Sequence, residues 1–270
     1  ASMDVSIISI FNGLAGIEKL SKFKRRILLD HLEFSDGIIV LSEKDKKSYP
    51  REISTPIEVF SPIIDTRRFS PLSARSKSQK KEFVIGAVVT RKDSESLILL
   101  IEVFSDLHKR LPFVKRLIIA GDGYEKSKIE SLAIKQGINK FIDMPGPIAD
   151  IASIYRQIDF LLAITKNESM GMAVLEAMSC KVIPVVNEFA VMPDIISHGN
   201  NGFYVYKKEK SGLVDFLEGI FIDRIRYPAK FSRIAKAARE TIQEKFDSSK
   251  TVPRYEELFL RIAMNHETGK

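Results

Sequence analysis

The sequence predicts an α/β fold. Its C-terminal domain is expected to carry a Rossmann-like parallel sheet with helices on both faces, preceded by a reduced N-terminal α/β portion. Three observations lead there. Continuous apolar runs recur at FVIGAVV (83–89), IDFLLAI (158–164) and VIPVV (182–186), and VKRLIIAGDG (114–123) reads as a further strand ending in a Gly-Asp-Gly turn. Segments with helical spacing separate them, such as 94–110 with Leu97, Leu100, Ile101 and Phe104. Strands that are apolar throughout are buried on both faces, as in parallel sheets. Finally, Gly86, Arg91, Gly121-Asp122-Gly123, Met144-Pro145-Gly146 and Glu168 fall at or near expected strand ends, and ligands of such sheets bind beyond the carboxyl ends of the strands.

The chain begins with a strand over 5–11 and a turn at Asn12-Gly13. A helix over 17–33 follows, with Leu20, Phe23, Ile27, Leu28 and Leu32 on an apolar side and Lys19, Lys22, Lys24, Arg25 and Arg26 on the other. A basic amphipathic helix can lie on an anionic membrane, or pack on a sheet with its cations in solvent. GIIVLSE (37–43) is a strand running into a helix start at Ser42, and 57–71 leads into the Ser- and Lys-rich stretch 70–81, a linker composition. The expected division is 1–70, a linker over 71–82, a domain over 83–222, and C-terminal helices over 223–270 packing back toward the N-terminal portion. Within the domain the helices are 94–110, 124–136 and 148–156, and a short strand spans 141–146. Residues 192–206 supply a Pro-started helix, an Asn-Gly turn and a last strand. Helices fill 209–264, broken near Tyr227-Pro228.

Composition excludes several classes. The 270 residues are 44% hydrophobic and 29% charged, as in a globular chain of one or two domains. No stretch approaches the ~20 apolar residues of a membrane span. The start lacks the basic region of a signal peptide, so a cytoplasmic location, or the inner face of a membrane, is expected. Cys180 is the single cysteine and is assigned to the core. His31, His108, His198 and His266 lack ligand spacing, so neither a metal nor a cofactor is expected. A net charge of +7 favours anionic partners, namely a nucleotide or an anionic membrane. No nucleic-acid module is visible.

The chemistry centres on 165–186, TKNESMGMAVLEAMSCKVIPVV, read as loop, helix and buried strand. Free amides at a helix start and the aligned peptide dipoles favour an anion. Gly171 lets a ligand approach the backbone. Glu168 stands before the anion site and Glu176 about a turn and a half inside the helix. Carboxylates only accept hydrogen bonds, so both suit hydroxyl donors. A diphosphate with a hydroxylated ring at each end fits this layout.

The phrase from Glu168 to Glu176, continued by Ala-Met-Ser-Cys and a Pro-Val-Val strand, resembles the E-x7-E motif of retaining GT-B glycosyltransferases, especially family 4 (glycosyl transferases group 1). Ser61 to Pro71, with Asp65, Arg68, Phe69 and Pro71, is similar to that family's interdomain segment. Gly121-Asp122-Gly123 and Asn201-Gly202-Phe203 match further family segments. The resemblance implies a nucleotide-sugar donor. Glu168 would contact the donor sugar as the catalytic residue and Glu176 the ribose. The backbone of Ser169, Met170, Gly171 and Met172 would hold the phosphates; Gly121, Met144 and Pro145 are assigned to the same donor cleft from their positions near expected strand ends.

Three features depart from the family. Arg91 is near the family's phosphate-binding Arg, but the expected Lys position falls among Ser94, Glu95 and Ser96, which leaves Lys92 as the substitute. Ala190-Val191 replaces a Gly-Gly pair. The N-terminal portion is short, and Asn12-Gly13 stands where the family often has a His. The expected function is a retaining, metal-independent glycosyltransferase acting on an unnamed glycan, lipid or protein acceptor. The alternative is a non-catalytic sugar-nucleotide-binding subunit that needs a partner chain. Homo- or hetero-oligomerisation through an apolar face is a further expectation.

Overall fold

The computed structural model describes residues 7–11, 21–41, 43–50, 53–72, 82–90, 94–122, 125–165, 171–187, 192–206 and 209–267. The chain forms two compact units, Ala1–Ile63 with Lys245–Lys270, and Ile64–Glu244.

In the first unit, β1 (Ile8–Phe11), β2 (Gly37–Val40) and β3 (Ile57–Val59) form a parallel sheet in that order. Successive side chains point to opposite faces of a strand. Accordingly Ile38 and Val40 pack with Leu32 of α1 (Lys22–Glu33) and with Tyr49, which follows α2 (Glu43–Ser48). Ile39 faces the other way and packs with Leu258 and Ile262 of α10 (Ser248–Glu267). Gly37 makes room there, since a Cβ would lie 2.5 Å from Ile262 Cδ1. β3 is not apparent in the sequence, where 57–71 leads into the linker, because its three half-buried residues give little periodicity.

The apolar side expected for the first helix needs correction. Leu32 is fully buried, but Phe23 and Ile27 are exposed. Nine residues separate Phe23 from Leu32, about 180° around a helix with 3.6 residues per turn, so the two cannot share a face.

The second unit is built on β4 (Phe83–Thr90), β5 (Val114–Asp122), β6 (Ile142–Gly146), β7 (Phe160–Ala163), β8 (Ile183–Val186) and β9 (Phe203–Tyr204). All pairs are parallel, in the order β6-β5-β4-β7-β8-β9. The connecting helices are α3 (Ser94–Arg110), α4 (Lys126–Lys135), α5 (Ala152–Tyr155), α6 (Met172–Ser179) and α7 (Met192–Ile195), with α8 (Lys210–Arg226) and α9 (Pro228–Lys245) after the last strand. Ile85, Leu117, Phe160 and Val185 form one core with Ile101 and Phe104 of α3, Leu217 and Phe221 of α8, and Phe231 and Ile234 of α9. Cys180 is fully buried, as expected.

Two boundaries differ from those read in the sequence. Phe231 and Ile234 bind α9 into this core, whereas the sequence reading ended the domain at 222. Residues 64–70 also join this unit. Ser179 Oγ donates to the Phe69 carbonyl at 2.6 Å, and Arg239 donates to the carbonyls of Phe69, Ser179 and Thr66. Arg156 donates to the carbonyls of Arg68 at 2.8 Å and Ser70 at 3.1 Å. A linker composition does not reveal arginines that collect its carbonyls.

Gly86 is not at a strand end. It pairs with Leu161 inside β4, and a Cβ there would lie 2.4 Å from Ile158 Cδ1. Gly121 has φ +111°, and a Cβ would sit 2.2 Å from the Val89 carbonyl oxygen of the adjacent strand. Among the described residues no helix is long and apolar enough to cross a membrane.

Gly121→Ala should therefore destabilise the chain by at least about 1–3 kcal/mol from backbone strain alone. Urea unfolding should show a lower midpoint with an unchanged slope.

Candidate active site

The strand order fixes the place to look. From β4 the chain proceeds to β5 on one side, and from β7 to β8 on the other. Diverging connections leave a crevice outside the carboxyl ends of β4 and β7, which is where such sheets bind ligands. Arg91 and Lys92 follow β4 directly in the chain, and Glu168, Ser169 and Met170 lie between β7 and α6. All five are outside the described residues, as are Asn12-Gly13, Ser42 and Ala190-Val191. Chain order alone puts the first five after the two strands that flank the crevice.

The described part begins at Gly171. This residue is the N-cap of α6, buried, with φ +69°. An L side chain in that left-handed region would cost about 1–2 kcal/mol, which accounts for glycine. No side chain caps the helix, and the amides of Val174 and Leu175 already donate to the Gly171 carbonyl at 2.9 and 3.2 Å. The amides of Met172 and Ala173 have no intrahelical acceptor, and they lie at the positive end of the helix dipole.

Glu176 projects from the second turn of α6 and is half-buried. Its Oε2 accepts a hydrogen bond of 2.8 Å from the phenol of Tyr155, a fully buried residue of α5. Burial pushes the Glu176 carboxyl above its ordinary value, against the opposing effects of the Tyr155 hydrogen bond and the Arg68 charge. Burial, together with the neighbouring Glu176 carboxylate, holds the Tyr155 phenol protonated well above its usual range. Tyr155 is thus a fixed donor that orients one carboxylate oxygen. The exposed Arg68 is held by its own hydrogen bond to the Ala149 carbonyl at 3.3 Å and by lying over the Phe69 ring.

Gly121 ends β5, one strand from β4, and its backbone approach to Val89 explains it without a ligand. Met144 and Pro145 end β6, the edge strand, about 10 Å from β4 at ~4.8 Å per strand. Met144 packs on the core, and Pro145 is exposed where an edge strand tolerates a missing donor. The structure therefore places Gly171, Met172 and Glu176 on one helix at the crevice, with Gly121 beside it and Met144 and Pro145 farther out. Among the described residues no group of His, Cys, Asp and Glu is placed to hold a metal ion.

Sequence reading did not assign a site role to Tyr155 or Arg68. Tyr155 lies 21 residues before Glu176, and no periodicity links them. Arg68 was legible only as part of the interdomain phrase. The Thr165–Asn187 pair was also missed, in which Asn187 Nδ2 donates to the Thr165 carbonyl at 2.7 Å and its Oδ1 accepts from the Thr165 amide at 2.9 Å.

Comparison with known proteins identifies the family. Residues 70–241 match the family model of the glycosyl transferases group 1, and the chain belongs to that family. It is 26% identical over 155 residues to N-acetyl-alpha-D-glucosaminyl L-malate synthase of Bacillus anthracis, covering 57% of this chain and 40% of that one. The chain thus spans well under two thirds of this curated relative. The crystal structure of Anabaena HepE in complex with UDP and glucose superimposes with a TM-score of 0.77 at 18% identity, over 94% of this chain and 71% of that one. The C-terminal domain of a glycosyl transferase group 1 family protein from Francisella tularensis gives a TM-score of 0.56 at 26% identity, over 67% of this chain and 97% of that domain. The fold is the parallel α/β arrangement of GT-B glycosyltransferases.

A pH dependence follows from Glu176. An unfolded Glu loses its proton near 4.5, and the folded chain holds it to higher pH. Stability is therefore lost as pH rises from 4.5 through the folded value, and the cost persists above it. Glu176→Gln keeps an acceptor for Tyr155 and removes the buried charge. Its melting temperature should exceed the parent's at pH 7, and the gain should vanish below pH 4.5.

Proposed function

We propose that this chain binds a nucleotide-diphosphate sugar at the β4/β7 crevice and supplies the donor side of a retaining, metal-independent glycosyltransferase. The observation that carries this reading is the half-buried Glu176 carboxylate, held by Tyr155 on a helix that starts at a left-handed glycine beside the crevice. A folded chain that keeps a destabilising carboxylate in such a place uses it as an acceptor, and ribose hydroxyls are matching donors.

The diphosphate lies at the start of α6, where the amides of Met172 and Ala173 meet it together with the backbone of Ser169 and Met170. Arg91 and Lys92 neutralise its remaining charge, and Glu168 positions the sugar hydroxyls. The bond from the anomeric carbon to the diphosphate oxygen breaks, and a bond to the acceptor oxygen forms on the same face. The acceptor's proton passes to the departing diphosphate. Charge that develops on the leaving group is met by fixed amides and cations rather than by a metal.

Because the HepE structure contains UDP, the first ligands to test are UDP and UDP-sugars. At ~100 times Kd, a ligand should add about 2.7 kcal/mol and raise the melting temperature by several degrees. EDTA should leave that shift intact. Glu176→Gln should weaken binding about 10- to 100-fold, the equivalent of one charge-assisted hydrogen bond. Absence of any nucleotide-dependent shift would contradict the donor-site reading. A shift without transfer to any acceptor would favour the binding-subunit alternative, in which a partner chain supplies the acceptor half.

A further inference from the structure

We propose that Arg68 selects the nucleobase at the crevice, donating to a keto oxygen on the edge of the base remote from the ribose. The inference rests on the donor-site reading and adds a class of base to it, uracil or guanine rather than cytosine or adenine.

The order of groups along α6 leads there. The free amides of Met172 and Ala173 open the helix. Glu176 follows about 5 Å along the axis and Ser179 about 4.5 Å beyond it, at ~1.5 Å per residue. Glu176 and Ser179 are three residues apart and so share one side of the helix. Ser179 Oγ donates to the Phe69 carbonyl at 2.6 Å, which lays the segment carrying Arg68 on that same side, past Glu176. A diphosphate on the amides and a ribose on Glu176 therefore aim the base at Arg68. Packed rings follow the same path. The ring of Tyr155, which holds Glu176, lies 6.1 Å from that of Phe69, and the Arg68 guanidinium lies 5.3 Å from the Phe69 centroid.

Arg68 is held in direction yet open to a ligand. Asp65 Oδ1 accepts from its backbone amide at 3.2 Å, Arg156 donates to its carbonyl at 2.8 Å, and its own Nη2 donates to the Ala149 carbonyl at 3.3 Å. Its side chain stays exposed. A guanidinium carries five N–H donors and no acceptor, so the contact with Ala149 leaves donors for a ligand. Uracil and guanine present a keto oxygen on that edge, whereas cytosine and adenine present an amino group there. Donor meets acceptor with the first two bases and donor meets donor with the others. The Arg68 charge also opposes the burial that raises the Glu176 carboxyl, so one side chain serves both ribose and base.

The test is calorimetric titration of the full chain with UDP, CDP, GDP and ADP. The pairs UDP–CDP and GDP–ADP each match in ring size and differ in the keto or amino group. The parent chain should favour the keto member of at least one pair about tenfold or more, the equivalent of one charge-assisted hydrogen bond. Arg68→Gln should abolish that preference and still bind nucleotide, because its amide both donates and accepts. Arg68→Lys, which offers donors only, should keep part of it. The ratio within a pair is insensitive to a change at Glu176 that weakens all four nucleotides alike. An unchanged melting temperature without ligand confirms folding. Equal binding within both pairs by the parent, or a preference that survives in Arg68→Gln, would overturn the role of Arg68 alone. Binding of none of the four would remove the donor-site reading and this inference with it.

Discussion

The pairing of β4 with β7 is the constraint on which the second unit depends. The two strands meet over Ile85–Phe160 and Gly86–Leu161. Asp159 secures their amino ends, with its carboxylate accepting from the Val84 amide at 3.0 Å and its own amide donating to the Val84 carbonyl at 2.8 Å. Gly86 lets Ile158 close against β4 where any side chain would collide. At the carboxyl end β7 is tied the other way, to β8, through Asn187 and Thr165. The pair is thus joined at one end and parts at the other, and the start of α6 follows at the parting.

The same arrangement makes an expensive carboxylate tolerable. Glu176 would be costly to bury alone, but Tyr155 supplies a donor that never ionises in its working range, and Arg68 supplies opposite charge. Arg68 is positioned because 64–70 is not a free tether. Arg156, Ser179 and Arg239 fix its carbonyls, while the Asp65 side chain accepts from the amides of Arg67 at 3.0 Å and Arg68 at 3.2 Å. Stability is partly given up at Glu176 and regained in the clamp around this segment, a division common at binding sites.

Much of the second unit was legible because local pattern and tertiary role coincide there. Strands buried on both faces are apolar without interruption, so the runs at 83–89, 158–164 and 182–186 announced themselves. Gly171 stands out in the sequence as a glycine at a helix start where a ligand could approach, and its left-handed φ of +69° is a further reason that only the structure shows. What escaped was non-local or two-faced. Tyr155 meets Glu176 across a turn of the fold, Arg239 reaches Phe69 from α9, and Gly86 looks like a strand-end glycine until Ile158 is seen beside it. In the first unit, α1 has apolar residues on opposite sides, and only the structure shows that Leu32 goes inward while Phe23 goes outward. Of the expected site residues, Gly171, Met172 and Glu176 share one helix, Gly121 has a backbone reason for being glycine, and Arg91, Lys92, Glu168, Ser169 and Met170 lie outside the described residues.

The most direct measurement is a crystal structure of this chain grown with UDP. Ribose hydroxyls within about 2.5–3.2 Å of the Glu176 carboxylate, with the diphosphate on the amides that open α6, would establish the donor site at the β4/β7 crevice. Nucleotide bound elsewhere, or bound in the crevice with Glu176 joined only to Tyr155, would contradict it.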